Sequence, residues 1–128
     1  MSPDIIIRLE NASIFILDHL VLSEVNFQVN KGEFVYLIGK VGSGKTSVIK
    51  TLNAEYPLAE GEGYVSDFEL HNIKISQIPY LRRKLGIVFQ DFQLLTDRTV
   101  SDNLIFVLKS TGWMNKSEIE QRIYVVLD

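Results

Sequence analysis

The chain has 128 residues, 46% of them hydrophobic, and its 13 Lys or Arg against 16 Asp or Glu give a formal net charge of −3. This length predicts one domain, the hydrophobic content excludes a disordered chain, and the acidic balance lacks the basic face typical of nucleic-acid binding. The absence of cysteine excludes disulfides, thiolate metal sites and a cysteine nucleophile, and no apolar run approaches the roughly 20 residues of a membrane helix or forms a secretory signal.

The first part of the chain predicts β-strands. Residues 5–7 are β-branched, residues 13–17 form another apolar run, and residues 24–29 alternate apolar and polar side chains. This period of two is typical of a half-buried antiparallel strand. Gly32 then predicts a turn with positive φ. Residues 34–38 are apolar at every position, the pattern of a strand covered on both faces in a parallel sheet.

Helical spacing begins after Gly44. Val48, Ile49 and Leu52 form one apolar stripe, and the element ends before Tyr56-Pro57 because the residue before proline avoids the helical region. Glycine-punctuated alternation over residues 60–72 then predicts a β-hairpin.

The last third of the chain predicts helices around one more strand. A short helix is expected over residues 78–84, a second short buried strand over 87–89, and an apolar helix over 100–109 with Thr99 or Ser101 as its N-cap. Ser117-Glu118 opens a final helix. The order of elements predicts an α/β fold, but only two strands have the doubly covered pattern, whereas sheets usually have about four to six. The sequence therefore predicts the front portion of a larger domain.

Residues 39–46 carry the chemistry, because they satisfy the pattern G-x-x-x-x-G-K-[ST] of a phosphate-binding loop between an apolar run and a predicted helix. Glycines let backbone N–H groups wrap an anion, and the positive end of the following helix favours phosphate. Lys45 places an ammonium against the outer phosphate oxygens, and Thr46 offers a hydroxyl to Mg²⁺, which prefers oxygen ligands. The alternative interpretation, without a bound ligand, is a flexible glycine turn with a solvated lysine. The predicted nucleotide-binding residues of the loop are Gly39, Lys40, Val41, Gly42, Ser43, Gly44, Lys45, Thr46 and Ser47.

Gln90 follows the second predicted buried strand. In an open α/β sheet, ligands bind beyond the carboxyl ends of the strands, so Gln90 is predicted to face the same crevice as the phosphate loop. A neutral amide can accept from a metal-bound water, or ligate the metal, without adding charge. An ordinary surface glutamine is the alternative, and the residue pattern alone favours it.

Three segments carry a family resemblance. Lys31-Gly32-Glu33-Phe34, the loop 39–46 and Val88-Phe89-Gln90 follow one another in the order and spacing of ABC-type ATPases, and the chain resembles this family over almost its whole length. The resemblance implies the N-terminal portion of an ABC nucleotide-binding domain, an α/β P-loop NTPase fold. It implies an antiparallel β subdomain, parallel core strands and the start of the helical subdomain, all within one domain over residues 1–128.

Within this family the chain resembles most the bacterial cell-division ATP-binding proteins of the FtsE type, through residues 89–95 followed by Arg98-Thr99-Val100 and Asp102-Asn103. Lipoprotein-export and macrolide-export ATPases share much of the pattern. The resemblance implies an ATPase that binds ATP with Mg²⁺, dimerises as a complete domain, and couples hydrolysis to an integral-membrane permease of the FtsX type, with a role in cell division. It implies a cytoplasmic location at the inner face of the cell membrane, without nucleic-acid partners.

The resemblance also assigns roles to single residues. Gln90 is implied to sense Mg²⁺ and the γ-phosphate, which makes it a catalytic residue with Lys45 and a metal-site residue with Thr46. Phe15 is implied to stack on adenine, and packing of Phe15 in the core is the alternative. Residues 91–95 are implied to lie near the permease contact, where the apolar Phe92, Leu94 and Leu95 suit a partner surface or else cover the core locally.

The catalytic half of the family pattern does not occur in the sequence. The signature segment, the Mg²⁺-coordinating aspartate, the catalytic glutamate and the switch histidine are missing. Since phosphoryl transfer depends on positioning and electrostatics, the chain alone is expected to bind nucleotide weakly without turning it over. The alternatives are a truncated nucleotide-binding module without catalysis and another P-loop class, such as a DNA-repair ATPase or a GTPase. The acidic balance argues against DNA, and no guanine-reading motif is found.

Overall fold

The structure, a computed structural model, describes residues 4–40, 42, 44–91 and 93–128. The chain divides into two compact units, Met1–Leu81 and Arg82–Asp128. Among the described residues, no helix combines the length and the apolar character that crossing a membrane requires.

The first unit is built on an antiparallel sheet of four strands in the order β2-β1-β3-β4. The strands are β1 (Ile5–Ile16), β2 (His19–Asn30), β3 (Glu60–Val65) and β4 (Phe68–Glu69). The apolar run at 5–7 and residues 13–16 of the second run belong to one long strand, and Leu17 lies in the turn that follows. The hairpin predicted over 60–72 forms over residues 60–69, and Leu70–Asn72 is a 3-10 helix. Gly32 has the positive φ expected of its turn.

A helix, α1 (Lys45–Leu52), contacts β1 of this sheet. Leu9, Ile14 and Val65 of the sheet are each at most 2% exposed and belong to the core. On α1 the buried residues are Ser47, Val48, Thr51 and Leu52. The hydroxyl of Thr51 donates to the carbonyl of Ser47 at 2.8 Å, which satisfies a buried polar group within the helix.

The predicted apolar stripe of α1 is wrong at one position. Ile49 is 42% exposed, whereas Thr51 is 1% exposed and lies in the core. Thr51 can be buried because its hydroxyl is hydrogen-bonded within the helix. A pattern of hydrophobic residues alone does not predict a buried threonine. The apolar residues of α1 predict that the helix packs against the core, but they do not predict which of its residues are buried.

The two predicted parallel strands are not formed. Residues 33–40, here called the exposed segment, belong to no helix or strand, and Phe34 and Ile38 within it are 81% and 88% exposed. Residues 87–89 are likewise unpaired, and Val88 is 94% exposed. A buried strand requires a ladder partner on at least one edge, and in the part of the chain that the structure describes no strand pairs with either segment. The prediction of buried strands at residues 34–38 and 87–89 is therefore wrong for this structure.

Helices dominate the rest of the chain. A short helix, α2 (Ile78–Arg82), is followed by α3 (Val100–Ser110) and α4 (Lys116–Leu127), and the last two contact each other. Thr99 caps α3, because its side-chain oxygen accepts a hydrogen bond from the N–H of Asp102 at 3.0 Å. Of the two predicted N-caps, Thr99 and Ser101, the structure has Thr99. Asn115 caps α4 by accepting from the N–H of Glu118 at 3.1 Å. The guanidinium of Arg83 lies 4.8 Å from the ring centroid of Trp113, which anchors the connection between α3 and α4.

Candidate phosphate-binding site

The phosphate loop connects the exposed segment to the start of α1. Gly44 is the N-cap of α1 with φ of 98°, and Gly42 has φ of 84°. These left-handed conformations are open to glycine without strain, so glycine at positions 42 and 44 suits the backbone that these two residues form. The first turn of α1 contains no acidic residue. The helix N-terminus therefore offers its partial positive charge and unpaired N–H groups to an anion without a competing carboxylate.

Lys45 is the first residue of α1 and turns back over the loop. Its ammonium nitrogen donates to the carbonyl oxygen of Gly39 at 2.5 Å. Thr46, the next residue, is exposed, and Ser47 is buried. The site thus combines a cation, a helix N-terminus and an exposed hydroxyl.

This donor set fits a triphosphate better than it fits a bare metal. No group of three or more His, Asp or Glu side chains suited to a metal ion occurs among the described residues. Mg²⁺ is usually held in nucleotide sites by one or two protein oxygens together with phosphate oxygens. The Thr46 hydroxyl suits that arrangement, in which the nucleotide supplies the remaining charge.

The other predicted loop residues are placed only in part. Gly39 and Lys40 are exposed at the entry to the loop. Val41 and Ser43 lie outside the described residues, as does Phe92 of the predicted partner surface. Leu94 of that surface is 65% exposed, whereas Leu95 is half-buried and its backbone is held by Asn103.

Phe15 and Gln90 lie in different units. Phe15 is half-buried in β1 and pairs with Leu20 of β2, in the same unit as the phosphate loop. Gln90 is exposed in a turn of the second unit, after residues that form no strand. The adenine-stacking role of Phe15 and the metal-sensing role of Gln90 remain predictions.

Leu22 is a residue of the site that sequence reasoning missed. Its side chain lies against Gly44, because a Cβ built on Gly44 would be 2.9 Å from both Cγ and Cδ1 of Leu22. In the sequence Leu22 is one apolar residue of a strand among many, and nothing marks it as a neighbour of the loop.

The comparison with known proteins begins with a family model. Residues 22–128 match the model described as ABC transporter. The chain belongs to the ABC transporter family. The family predicted from the phosphate loop and its flanking segments is thereby confirmed.

Curated relatives in this family include cell-division and import proteins. The chain is 39% identical over 107 residues to the cell division ATP-binding protein FtsE of Bacillus subtilis (strain 168), covering 84% of this chain and 46% of that protein. For FtsE of Mycobacterium tuberculosis (strain ATCC 25618 / H37Rv) the identity is 42% over 91 residues, covering 71% and 40%. The methionine import ATP-binding protein MetN of Clostridioides difficile (strain 630) is 35% identical over 108 residues, covering 84% and 33%. The chain therefore spans less than half the length of these relatives.

Solved structures support the same fold. The ATP-binding cassette MJ0796, in a dimeric post-hydrolysis state bound to ADP and Pi, superposes with a TM-score of 0.73 at 28% identity, covering 91% of this chain and 53% of that one. A second dimeric structure of MJ0796, described as a bacterial ABC transporter cassette, has the same TM-score and coverage. The predicted α/β fold of an ABC nucleotide-binding domain, N-terminal portion, is confirmed.

Proposed function

We propose that this chain binds MgATP through residues 39–46 and that the whole protein hydrolyses ATP to drive a membrane permease. The observation that carries the proposal is the phosphate loop itself, with Gly44 capping α1 and Lys45 bent over the loop onto Gly39. The solved relative MJ0796, bound to ADP and Pi, supports a nucleotide as the ligand. In this proposal Lys45 holds the outer phosphates, Thr46 ligates Mg²⁺, and Phe15 stacks on adenine.

Gln90 has the second catalytic role in the proposal. It is an exposed amide on a turn, and its side chain can reach a metal-bound water without adding charge. Neighbouring Leu94 is 65% exposed and suits a contact with the permease. The complete ATPase acts as a homodimer at the cytoplasmic face of the membrane, in line with the dimers of MJ0796.

The cellular role that we favour is cell division, with a permease of the FtsX type as partner. FtsE proteins match at 38–42% identity, and MetN proteins match at 33–35%. The alternatives are an import or export ATPase, or a nucleotide-binding module without catalysis.

Nucleotide competition on the purified chain tests the biochemical part of the proposal. A fluorescent ATP analogue bound in the presence of Mg²⁺ should be displaced by ATP at least as well as by GTP, and ATP should not be turned over. Preference for GTP by about tenfold, which is about 1.4 kcal/mol, would move the chain to another P-loop class. Hydrolysis that persists in the purified chain and disappears in Lys45→Ala would refute the expected lack of turnover.

The cellular part has its own experiment. The full-length protein is co-expressed with an FtsX-type permease or with a methionine-import permease, and each complex is purified through the permease. Recovery with the FtsX-type permease alone supports the division role. Recovery with the import permease alone contradicts it.

A further inference from the structure

The contact between Leu22 and the phosphate loop has a role that rests on the proposed function. We infer that Leu22 is a positioning residue, which fixes where the backbone of Gly44 sits and thereby aims the start of α1 at the phosphates. The three atoms nearest to a Cβ on Gly44 are Cγ, Cδ1 and Cδ2 of Leu22, at 2.9, 2.9 and 3.2 Å. The isobutyl group thus fills the space that a side chain at residue 44 would need.

Two irregularities of the β1–β2 ladder bracket Leu22. Ala12 pairs with Val25, Ile14 pairs with Leu22, and the register shifts between these pairs. It shifts again before the next pair, Phe15 with Leu20. Each shift puts one extra residue on β2, which is the definition of a β-bulge. Bulges bend a strand and re-aim its side chains, so Leu22 stands at a point where β2 departs from regular geometry on both sides.

A side chain holds this irregular stretch in place. Glu24, between the two paired positions 22 and 25, has φ of 51°, a left-handed conformation that is costly for a residue other than glycine. The side-chain amide of Asn26 donates to the carbonyl of Glu24 at 3.0 Å. Its oxygen accepts from the N–H of Asn11 at 2.9 Å. Asn26 therefore makes one hydrogen bond within β2 and one across to β1, where the strands are out of regular register.

The position of Gly44 matters because it begins α1. The carbonyl of Gly44 accepts from the N–H of Val48 at 3.1 Å, the first hydrogen bond of the helix. Lys45 follows Gly44 directly, so a displacement of Gly44 moves the free N–H groups of the first turn together with the lysine. Misplacement of binding groups by about 1 Å is enough to lower binding or rate severely.

Hydrogen exchange tests the contact without requiring any ligand. Leu22→Ala should raise deuterium uptake in a peptide covering residues 44–48, because the helix start loses its support. Val29→Ala, which shortens a half-buried side chain at the other end of β2, is the matched control and should leave that uptake unchanged. Equal uptake in the two variants would overturn the inference. Should Leu22→Ala fail to fold by circular dichroism, Leu22→Val allows the same comparison with one methylene removed.

A double-mutant cycle on MgATP affinity then tests the role in binding. Leu22→Ala alone should weaken binding by about threefold or more, and Leu22→Met, of similar volume, should restore it. Gly44→Ala should weaken binding further, because its Cβ meets Leu22 and because φ of 98° strains a residue with a side chain. In the Leu22→Ala background the clash is gone and only the backbone strain remains, so the double variant should bind better than the product of the two single effects predicts.

The outcomes separate this inference from the proposed function. Additive effects in the cycle, together with normal exchange at residues 44–48, would reject the role of Leu22 while Lys45→Ala still weakens MgATP binding by about tenfold or more. An MgATP affinity that Lys45→Ala leaves unchanged would reject the proposed function, and the exchange experiment would still decide whether Leu22 supports the helix start.

Discussion

The ammonium nitrogen of Lys45 lies 2.5 Å from the carbonyl oxygen of Gly39, and this hydrogen bond joins the two ends of the phosphate loop. Lys45 opens α1, and Gly39 is near the end of the exposed segment, so the bond fixes the helix start against the loop entry. An ammonium has three donors and no acceptor. One donor can therefore stay on Gly39 while the others reach phosphate oxygens.

The exposed hydroxyl of Thr46 leads us to expect that the Mg²⁺ dependence of ATP binding relies on this residue. If its exposed hydroxyl ligates the metal, Thr46→Ala should bind Mg²⁺-free ATP almost as well as the unmodified chain does. The gain in ATP affinity on adding Mg²⁺ should fall by about tenfold in the variant, because the metal has lost an oxygen ligand. Calorimetry with and without EDTA measures both quantities. Ser101→Ala, an exposed hydroxyl on α3, is the control, and an unchanged Mg²⁺ effect in Thr46→Ala would reject the assignment.

The sequence predicts local backbone features, but not which segments pair or pack together. The phosphate loop is predictable because its motif specifies backbone shape and charge locally, and the observed φ at Gly42 and Gly44 agrees with it. The hairpin of β3 and β4 is predictable for the same reason, since alternation and turns are local signals. Residues 34–38 mislead because burial of an apolar run requires partners elsewhere in the chain. Leu22 is missed because a contact between β2 and the loop depends on two shifts in strand register, which no pattern in the sequence marks.

We expect that substitution of Gly61 lowers the stability of the fold strongly. A Cβ at this position would lie 2.3 Å from the carbonyl oxygen of Asn11, which is backbone and cannot move aside cheaply, and φ is +87°. Gly61→Ala should lower the free energy of unfolding by about 2–4 kcal/mol. Gly86→Ala is the matched control, since a Cβ added at Gly86 would have no neighbour within 4 Å, and should change stability by less than about 0.5 kcal/mol. Urea unfolding followed by far-UV circular dichroism compares them, and equal midpoints would contradict the close approach of β1 and β3.

We expect the stability of the fold to fall at alkaline pH as the Tyr64 phenol ionises. Desolvation, followed by the charge and hydrogen bond of Glu62, raises the pKa of the Tyr64 phenol above its usual value near 10. Because the folded-state pKa is raised, the associated stability is present below the unfolded pKa and is lost as the pH rises through the folded pKa. The difference in tyrosinate absorbance between the unmodified chain and Tyr64→Phe should show a phenol that titrates above pH 10, and Glu62→Gln should lower its pKa. Titration of this phenol at or below its usual value would contradict the prediction.

The exposed segment predicts association between chains. Phe34, Tyr36 and Ile38 are each at least 76% exposed within one unpaired stretch of backbone. Apolar side chains beside free backbone groups favour pairing with another chain. The sedimentation coefficient should therefore rise with protein concentration, and Phe34→Lys should reduce this rise more than Ile75→Lys, which changes a similarly exposed apolar residue outside the exposed segment. A monomer at every concentration would refute the expectation.

The most direct test of the account is calorimetric titration of MgATP into the unmodified chain, Lys45→Ala and Lys109→Ala. Both variants remove one lysine charge, but only Lys45 lies in the phosphate loop, whereas Lys109 is in the last turn of α3. The account predicts that Lys45→Ala lowers affinity by about tenfold or more, as expected for a lost charge-assisted contact, and that Lys109→Ala has little effect. Equal affinity of the unmodified chain and Lys45→Ala would contradict the account.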